Sequence, residues 1–214
     1  KHNPPKQRRA LMTGIIDYGV GNLFSLYSSL KLLGEDVFMI KEEKDYEKCA
    51  RIILPGVVSF IPARDKLKES GLEEGLYRSV EKGKLLLGIC LGMQLLFEEG
   101  EEEGKKKGLA LINGNVKSIK NIILNGNKIA HMGLNTLSIT KPSRLFSKIN
   151  DVDYVYFVHS YSAQNCLTNT TSITDYGAPL VSSVEKGNVF GLQFHPEKSG
   201  EVGLRILSSF LEIK

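Results

Sequence analysis

Apolar positions in the first half of the chain follow two rhythms. Thr13-Gly14-Ile15-Ile16-Asp17-Tyr18, the stretch 36–40, Arg51-Ile52-Ile53-Leu54 and Leu85-Leu86-Leu87-Gly88-Ile89 are short runs apolar at successive positions. Strands covered on both faces read this way. Between them Leu23, Leu26, Leu30 and Leu33 recur at helical spacing, and Gly34 stops that helix. Two more amphipathic stretches, 63–69 and 72–82, flank Gly71, and 93–99 reads as the start of another helix. The alternation predicts an α/β fold with a central, mostly parallel sheet flanked by helices. From 115 to 194 the character changes: short β-like runs with Asn125-Gly126 and Gly187-Asn188 turn signals predict antiparallel hairpins. A closing helix over 201–213 carries Leu204, Leu207 and Leu211 on one face, whereas the charge-dense stretch 98–107 reads as a solvated loop.

A chain of 214 residues, 42% hydrophobic and 24% charged, is an ordinary globular composition. Residues 13–214 are expected to form one domain, which at this size buries roughly 70% of its unfolded surface. Lys1, Lys6, Arg8 and Arg9 carry the whole formal excess of +4, alongside His2, Pro4 and Pro5. Residues 1–12 are therefore read as a flexible leader or an expression remnant, with Met12 the expected native start. A nucleic-acid arm is the weaker alternative, because no basic and aromatic surface pattern follows. No apolar run is long enough to span a bilayer. Cys49, Cys90 and Cys166 are an odd count without a pairing pattern, which points to reduced thiols in a cytoplasmic protein.

The sharpest chemical signal is Gly88-Ile89-Cys90-Leu91-Gly92. Strand, sharp turn and helix, with a nucleophile at the turn and glycines where backbone passes close, have the form of a nucleophile elbow. The turn would lift the sulfur to the carboxyl end of the sheet, at a helix N-terminus that favours thiolate. A buried structural cysteine between packing glycines is the other reading. A thiol nucleophile needs a base, and His195 follows a strand-like run in Gly191-Leu192-Gln193-Phe194-His195-Pro196-Glu197. Glu197 is placed to orient that imidazole. His131 and His159 lie near β-like segments and read as hydrogen-bonded core or wall residues. Their spacing gives no metal-ligand cluster, and no metal or other cofactor is expected.

Ile53-Leu54-Pro55-Gly56-Val57, Gly88-Ile89-Cys90-Leu91-Gly92-Met93-Gln94 and Phe194-His195-Pro196-Glu197-Lys198 resemble the three signatures of class I glutamine amidotransferases. The fold of that family is a flavodoxin-like sandwich. Within it, 17–22, 131–133, 156–161 and 195–199 resemble the glutaminase subunits of imidazole glycerol phosphate synthases, and the match runs in order from about residue 13 to the C-terminus. The resemblance implies that Cys90 attacks the glutamine side-chain amide, His195 shuttles the proton and Glu197 orients His195. It implies an oxyanion hole from the backbone at Leu91 and Val57, and contacts to glutamine from Gly56, Gln94, Glu102, Ser160 and Tyr161. Asn22, Leu134 and Lys198 would face the partner, a cyclase subunit with a (β/α)₈ barrel fold, in a heterodimer that channels ammonia for histidine biosynthesis.

Two positions depart from the family pattern. Val58 stands where the family has glycine, on a strand whose peptide is thought to flip to complete the oxyanion hole. A β-branched residue resists positive φ, so Val58 is expected to alter activation. Leu134 replaces a tryptophan, either as drift at an apolar interface position or as a sign of a remodelled partner surface. Two alternatives therefore stand beside the histidine-pathway glutaminase: a glutaminase feeding a different synthase, such as a sugar-amidating system, and a catalytically weakened docking subunit.

Overall fold

The computed structural model describes residues 12–123 and 127–214. The basic segment 1–11 and the Asn125-Gly126 turn signal lie outside the described residues. Met12, counted above with the leader, opens the first strand instead, because its backbone pairs alongside Cys49.

Strand β1 (Met12–Ile16) is followed by helix α1 (Leu23–Leu32), β2 (Val37–Ile40), β3 (Cys49–Leu54), α2 (Phe60–Glu69), α3 (Glu73–Glu81), β4 (Leu85–Ile89) and α4 (Leu91–Leu95). Then come β5 (Glu99–Glu101), β6 (Lys105–Lys107), β7 (Asn115–Ser118), β8 (His131–Thr136), β9 (Ser138–Ile139) and β10 (Tyr154–His159). The chain closes with β11 (Tyr161–Gln164), β12 (Thr170–Asp175), β13 (Pro179–Lys186), β14 (Val189–Leu192) and α5 (Gly200–Glu212). Eight strands form the central sheet in the order β2-β1-β3-β4-β14-β13-β12-β9. Pairing is parallel from β2 through to β14 and antiparallel beyond it. Two smaller sheets, β10-β8 and β11-β7-β5-β6, flank it.

The two-residue period of a strand sorts its side chains onto opposite faces, and both faces here are covered. Ile16, Ile52, Leu54 and Leu86 pack with Phe60, Leu67 and Leu76 of α2 and α3. Their neighbours Ile15, Ile53, Leu87 and Ile89 pack with Leu26, Leu30, Leu207 and Phe210 of α1 and α5. That double burial is why the parallel strands read as continuous apolar runs. Gly187-Asn188 makes the expected two-residue hairpin between β13 and β14, with Gly187 at φ 59°.

Two segments differ from expectation. The helix expected over 93–99 begins earlier and ends at Leu95, where the chain tightens into i→i+3 bonds at Leu96 and Phe97 and passes into β5. The 98–107 stretch is a hairpin rather than a loop, with Glu99 opposite Lys107 and Glu101 opposite Lys105. Its turn uses Glu103 and Gly104, both at positive φ, and a Cβ at Gly100 would stand 2.6 Å from the Phe60 ring, so β5 packs directly on α2. Opposite charges across the ladder support the pairing; a pattern of alternating apolar residues is absent, so periodicity could not show it.

Candidate active site

The carboxyl ends of β3, β4 and β14 meet at one rim of the sheet, the place where open parallel sheets present ligand sites. Cys90 follows β4 with φ 54° and ψ −110°, a conformation costly for an L-residue and held only by surrounding structure. What holds it is the approach of neighbouring backbone. A Cβ at Gly92 would fall 1.8 Å from the Leu54 carbonyl oxygen, and one at Gly56 2.8 Å from the Leu91 Cβ. Tyr18 clamps the same loop by donating its hydroxyl to the Pro55 carbonyl at 2.8 Å. Helix α4 has five residues, so its dipole contributes little at the sulfur, less than the sequence suggested.

Leu192 of β14 lies beside Ile89 of β4 in the parallel register, so residues just past the two strand ends share one rim. His195 is 2% exposed, its backbone N–H donates to the Tyr156 carbonyl at 2.9 Å, and its Nδ1 is 2.8 Å from the Glu197 carboxylate. That leaves Nε2 for the Cys90 thiol. Burial alone would depress the imidazole pKa, but hydrogen bonds to Cys90 and Glu197 outweigh it and raise it to about 9.

A cleft of about 520 Å³ opens over these groups, lined by Val57, Val58, Cys90, Gln94, Glu102, Ser160, Tyr161, His195 and Lys198, with Ser59, Ala130, Val158 and His159 completing the wall. Of the residues singled out in the sequence, Gly56, Leu91 and Glu197 stand outside that lining, and Asn22 and Leu134 are not part of it. Glu102 also serves the fold, because its Oε2 accepts the Phe60 N–H at 2.6 Å and caps α2 where the Ser59 side chain does not. Asn22 is likewise the N-cap of α1, its side chain bonded to Ser25. Leu134 is 64% exposed, on the same face of β8 as Met132 at 64%. It pairs across the ladder with Tyr156, over whose ring the Lys198 ammonium lies at 5.7 Å. Phe24 and Tyr154 are also exposed.

The sequence read His131 and His159 as hydrogen-bonded core or wall residues, and the structure buries both in hydrogen bonds. They form a buried pair, His131 Nδ1 to His159 Nε2 at 3.1 Å, with His131 stacked between Phe157 and Tyr176. His159 Nδ1 lies 2.8 Å from the Tyr161 carbonyl and so must donate to it, leaving Nε2 to accept from His131. Burial pushes both imidazoles down, to about 4 for His131 and about 3 for His159. Gln193, unassigned in the sequence, is fully buried with its amide 3.8 Å from the Cys90 sulfur. Its place two residues before His195, at a strand end where side chains alternate, was the available signal.

A strained cysteine elbow, a Glu-supported histidine on the adjacent strand end and a five-strand parallel core match a known class. Residues 14–213 match the family model for class-I glutamine amidotransferase, and the chain belongs to that family. Curated relatives refine this. Imidazole glycerol phosphate synthase subunit HisH of Caldanaerobacter subterraneus subsp. tengcongensis is 46% identical over 203 residues, covering 94% of this chain and 98% of the relative. The protein of the same name from Bacillus subtilis is 44% identical over 94% of this chain and 96% of its own length, and that from Methanocaldococcus jannaschii is 42% identical over 94% and 100%. Within the class, the chain belongs with these HisH subunits. Among solved structures, a glutamine amidotransferase superposes with a TM-score of 0.73 at 19% identity, covering 94% of this chain and 97% of the other. PurLQS from Thermotoga maritima superposes at 0.71 and 19% with the same coverage. At that identity the likeness speaks for the fold.

Proposed function

We propose that this chain is the glutaminase subunit of an imidazole glycerol phosphate synthase, working in the cytoplasm. It releases ammonia from glutamine at Cys90 and passes it to a cyclase partner with a (β/α)₈ barrel fold, within histidine biosynthesis. The observation that carries this reading is the position of His195, bonded through Nδ1 to Glu197 and lining the same cleft as Cys90, toward which its other nitrogen is free to act.

The sulfur attacks the side-chain amide carbon of glutamine, and the carbonyl oxygen takes the negative charge. Backbone N–H groups at Leu91 and Val57 stabilise that oxyanion; one such donor is worth about a hundred- to a thousand-fold in rate. His195 holds its proton well above neutrality and gives it from Nε2 to the amide nitrogen as the C–N bond breaks and ammonia leaves. Water then attacks the thioester carbonyl, with Nε2 taking its proton, and glutamate departs from the regenerated thiol. Glu197 keeps the imidazole oriented through both half-reactions. Gln94 directs both amide hydrogens into the protein, to the Tyr161 carbonyl and Gln193, so its carbonyl oxygen is the atom left to accept from the substrate. Glu102 also lines the cleft.

The partner would seat on the exposed apolar face that Met132, Leu134 and Tyr154 share on the β8–β10 ladder, with Asn22 and Lys198 as further contacts. Leucine in place of tryptophan keeps that face apolar, which favours the cyclase over a remodelled partner. The test is glutamate release from glutamine, measured with and without the candidate cyclase. Cyclase-stimulated release that Cys90→Ala abolishes supports the reading; stimulation only by a sugar-amidating synthase, or no release at all, overturns it.

A further inference from the structure

The directions of the hydrogen bonds behind the nucleophile are forced by one backbone carbonyl. The Tyr161 oxygen can only accept, and it receives the His159 Nδ1 hydrogen at 2.8 Å and the Gln94 Nε2 hydrogen at 3.1 Å. That fixes which end of the Gln94 amide is nitrogen. The same nitrogen lies 3.0 Å from the far end of the Gln193 side chain, which must therefore be its oxygen, Oε1. Gln193 Nε2 is then turned toward Cys90, 3.8 Å from the sulfur. A reversed Gln193 amide would set donor against donor at Gln94 and oxygen against sulfur at Cys90.

On another side of the sulfur, 3.9 Å away, is the Val158 carbonyl oxygen. A neutral thiol donates to that oxygen, but a thiolate is repelled by it, so the carbonyl opposes ionisation. An N–H aimed at the sulfur does the reverse, stabilising the charged form by hydrogen bonding. Gln193 is fully buried and absent from the cleft lining, so it does not reach a bound glutamine.

We propose that Gln193 is a further catalytic residue of the glutaminase reaction, donating Nε2–H to the Cys90 thiolate before it attacks and to the sulfur as it is expelled from the thioester. The assignment deepens the glutaminase reading and rests on it for the reaction, though not for the state of the sulfur. The titratable groups beside the sulfur are His195 with Glu197 after β14 and Tyr18 after β1. His159, Tyr161, Glu102 and Lys198 line the same cleft. All keep their places when only the Gln193 amide is replaced.

Gln193→Met keeps the length of the side chain and removes the donor. The pH dependence of Cys90 alkylation by iodoacetamide, read at the Cys90 peptide by mass spectrometry, reports the sulfur without any need for turnover. The midpoint of that profile is expected to move up by about one unit, making alkylation near neutrality roughly tenfold slower. In glutamine hydrolysis kcat is expected to fall by about the same factor with KM nearly unchanged. A folded Gln193→Met protein whose alkylation profile superimposes on the wild type overturns the assignment. Should that variant fail to fold, Gln94→Met, which frees the Gln193 amide to turn away, decides in its place: a smaller upward move supports the assignment and an unmoved profile overturns it. A displaced profile in a chain that never hydrolyses glutamine would sink the glutaminase reading and leave the donor to the sulfur standing.

Discussion

Gly92 and Cys90 make the clearest case for reading single residues by what surrounds them. With the Leu54 carbonyl 1.8 Å from a would-be Cβ at Gly92, Gly92→Ala is expected to cost on the order of 3 kcal/mol. It should also move the elbow, so glutamine hydrolysis falls further than the lowered melting temperature explains; unchanged stability in a thermal melt would contradict this. Val58 lies on the cleft wall, 48% exposed, and is not among the described residues with positive φ. A peptide flip there would force a β-branched residue into strained backbone. Val58→Gly is expected to change the ratio of partner-stimulated to basal hydrolysis by about tenfold, since completing an oxyanion hole is worth at least that much. The same ratio of stimulated to basal rate in both proteins would rule it out. The Cys90, His195 and Glu197 positions were legible in the sequence because an elbow needs its flanking glycines and Pro196 fixes the link between base and orienter. Gln193 was not, because its role depends on which way an amide points, and that is set by a carbonyl at Tyr161, far away in sequence.

At the scale of elements, the buried parallel strands announced themselves through runs apolar at every position, and α1, α3 and α5 through helical spacing. The β5–β6 hairpin did not, since glutamate and lysine pair there through charge and through a glycine seated on Phe60. Nor did the coupling of β8 to β10, where Asn135 bonds His131, His131 bonds His159 and His159 bonds the Tyr161 carbonyl. This ladder has a pH signature. An unfolded histidine titrates near 6.5, whereas the folded pair is held neutral down to about 4 and about 3 by burial. As pH falls below 6.5 the unfolded chain takes up protons that the native chain refuses, so stability is lost through that window. His159→Gln, which cannot charge, is expected to show a smaller drop in melting temperature between pH 7 and pH 5 than the wild type. Equal drops would show that the pair does not carry this dependence.

For the whole molecule, the sheet rim holds the cleft and the β8–β10 ribbon holds an exposed apolar face close to it. The sequence named Leu134 and Lys198 for a partner face through resemblance alone; in the structure Leu134 pairs across the ladder with Tyr156, over whose ring the Lys198 ammonium lies. Leu134→Asp places a charge in the apolar patch without touching the cleft lining. It is expected to weaken partner binding by roughly tenfold or more, as loss of a central anchor does, while basal glutamine hydrolysis stays as in the wild type. Equal affinity in a titration would move the partner elsewhere. Release of ammonia by this route depends on a covalent bond forming at one sulfur. The most direct measurement is the intact mass of the protein quenched by acid during glutamine turnover in the presence of the cyclase. A single γ-glutamyl adduct that maps to Cys90, and is missing from Cys90→Ala, is the predicted result; turnover with no adduct at Cys90, or an adduct on another residue, would contradict it.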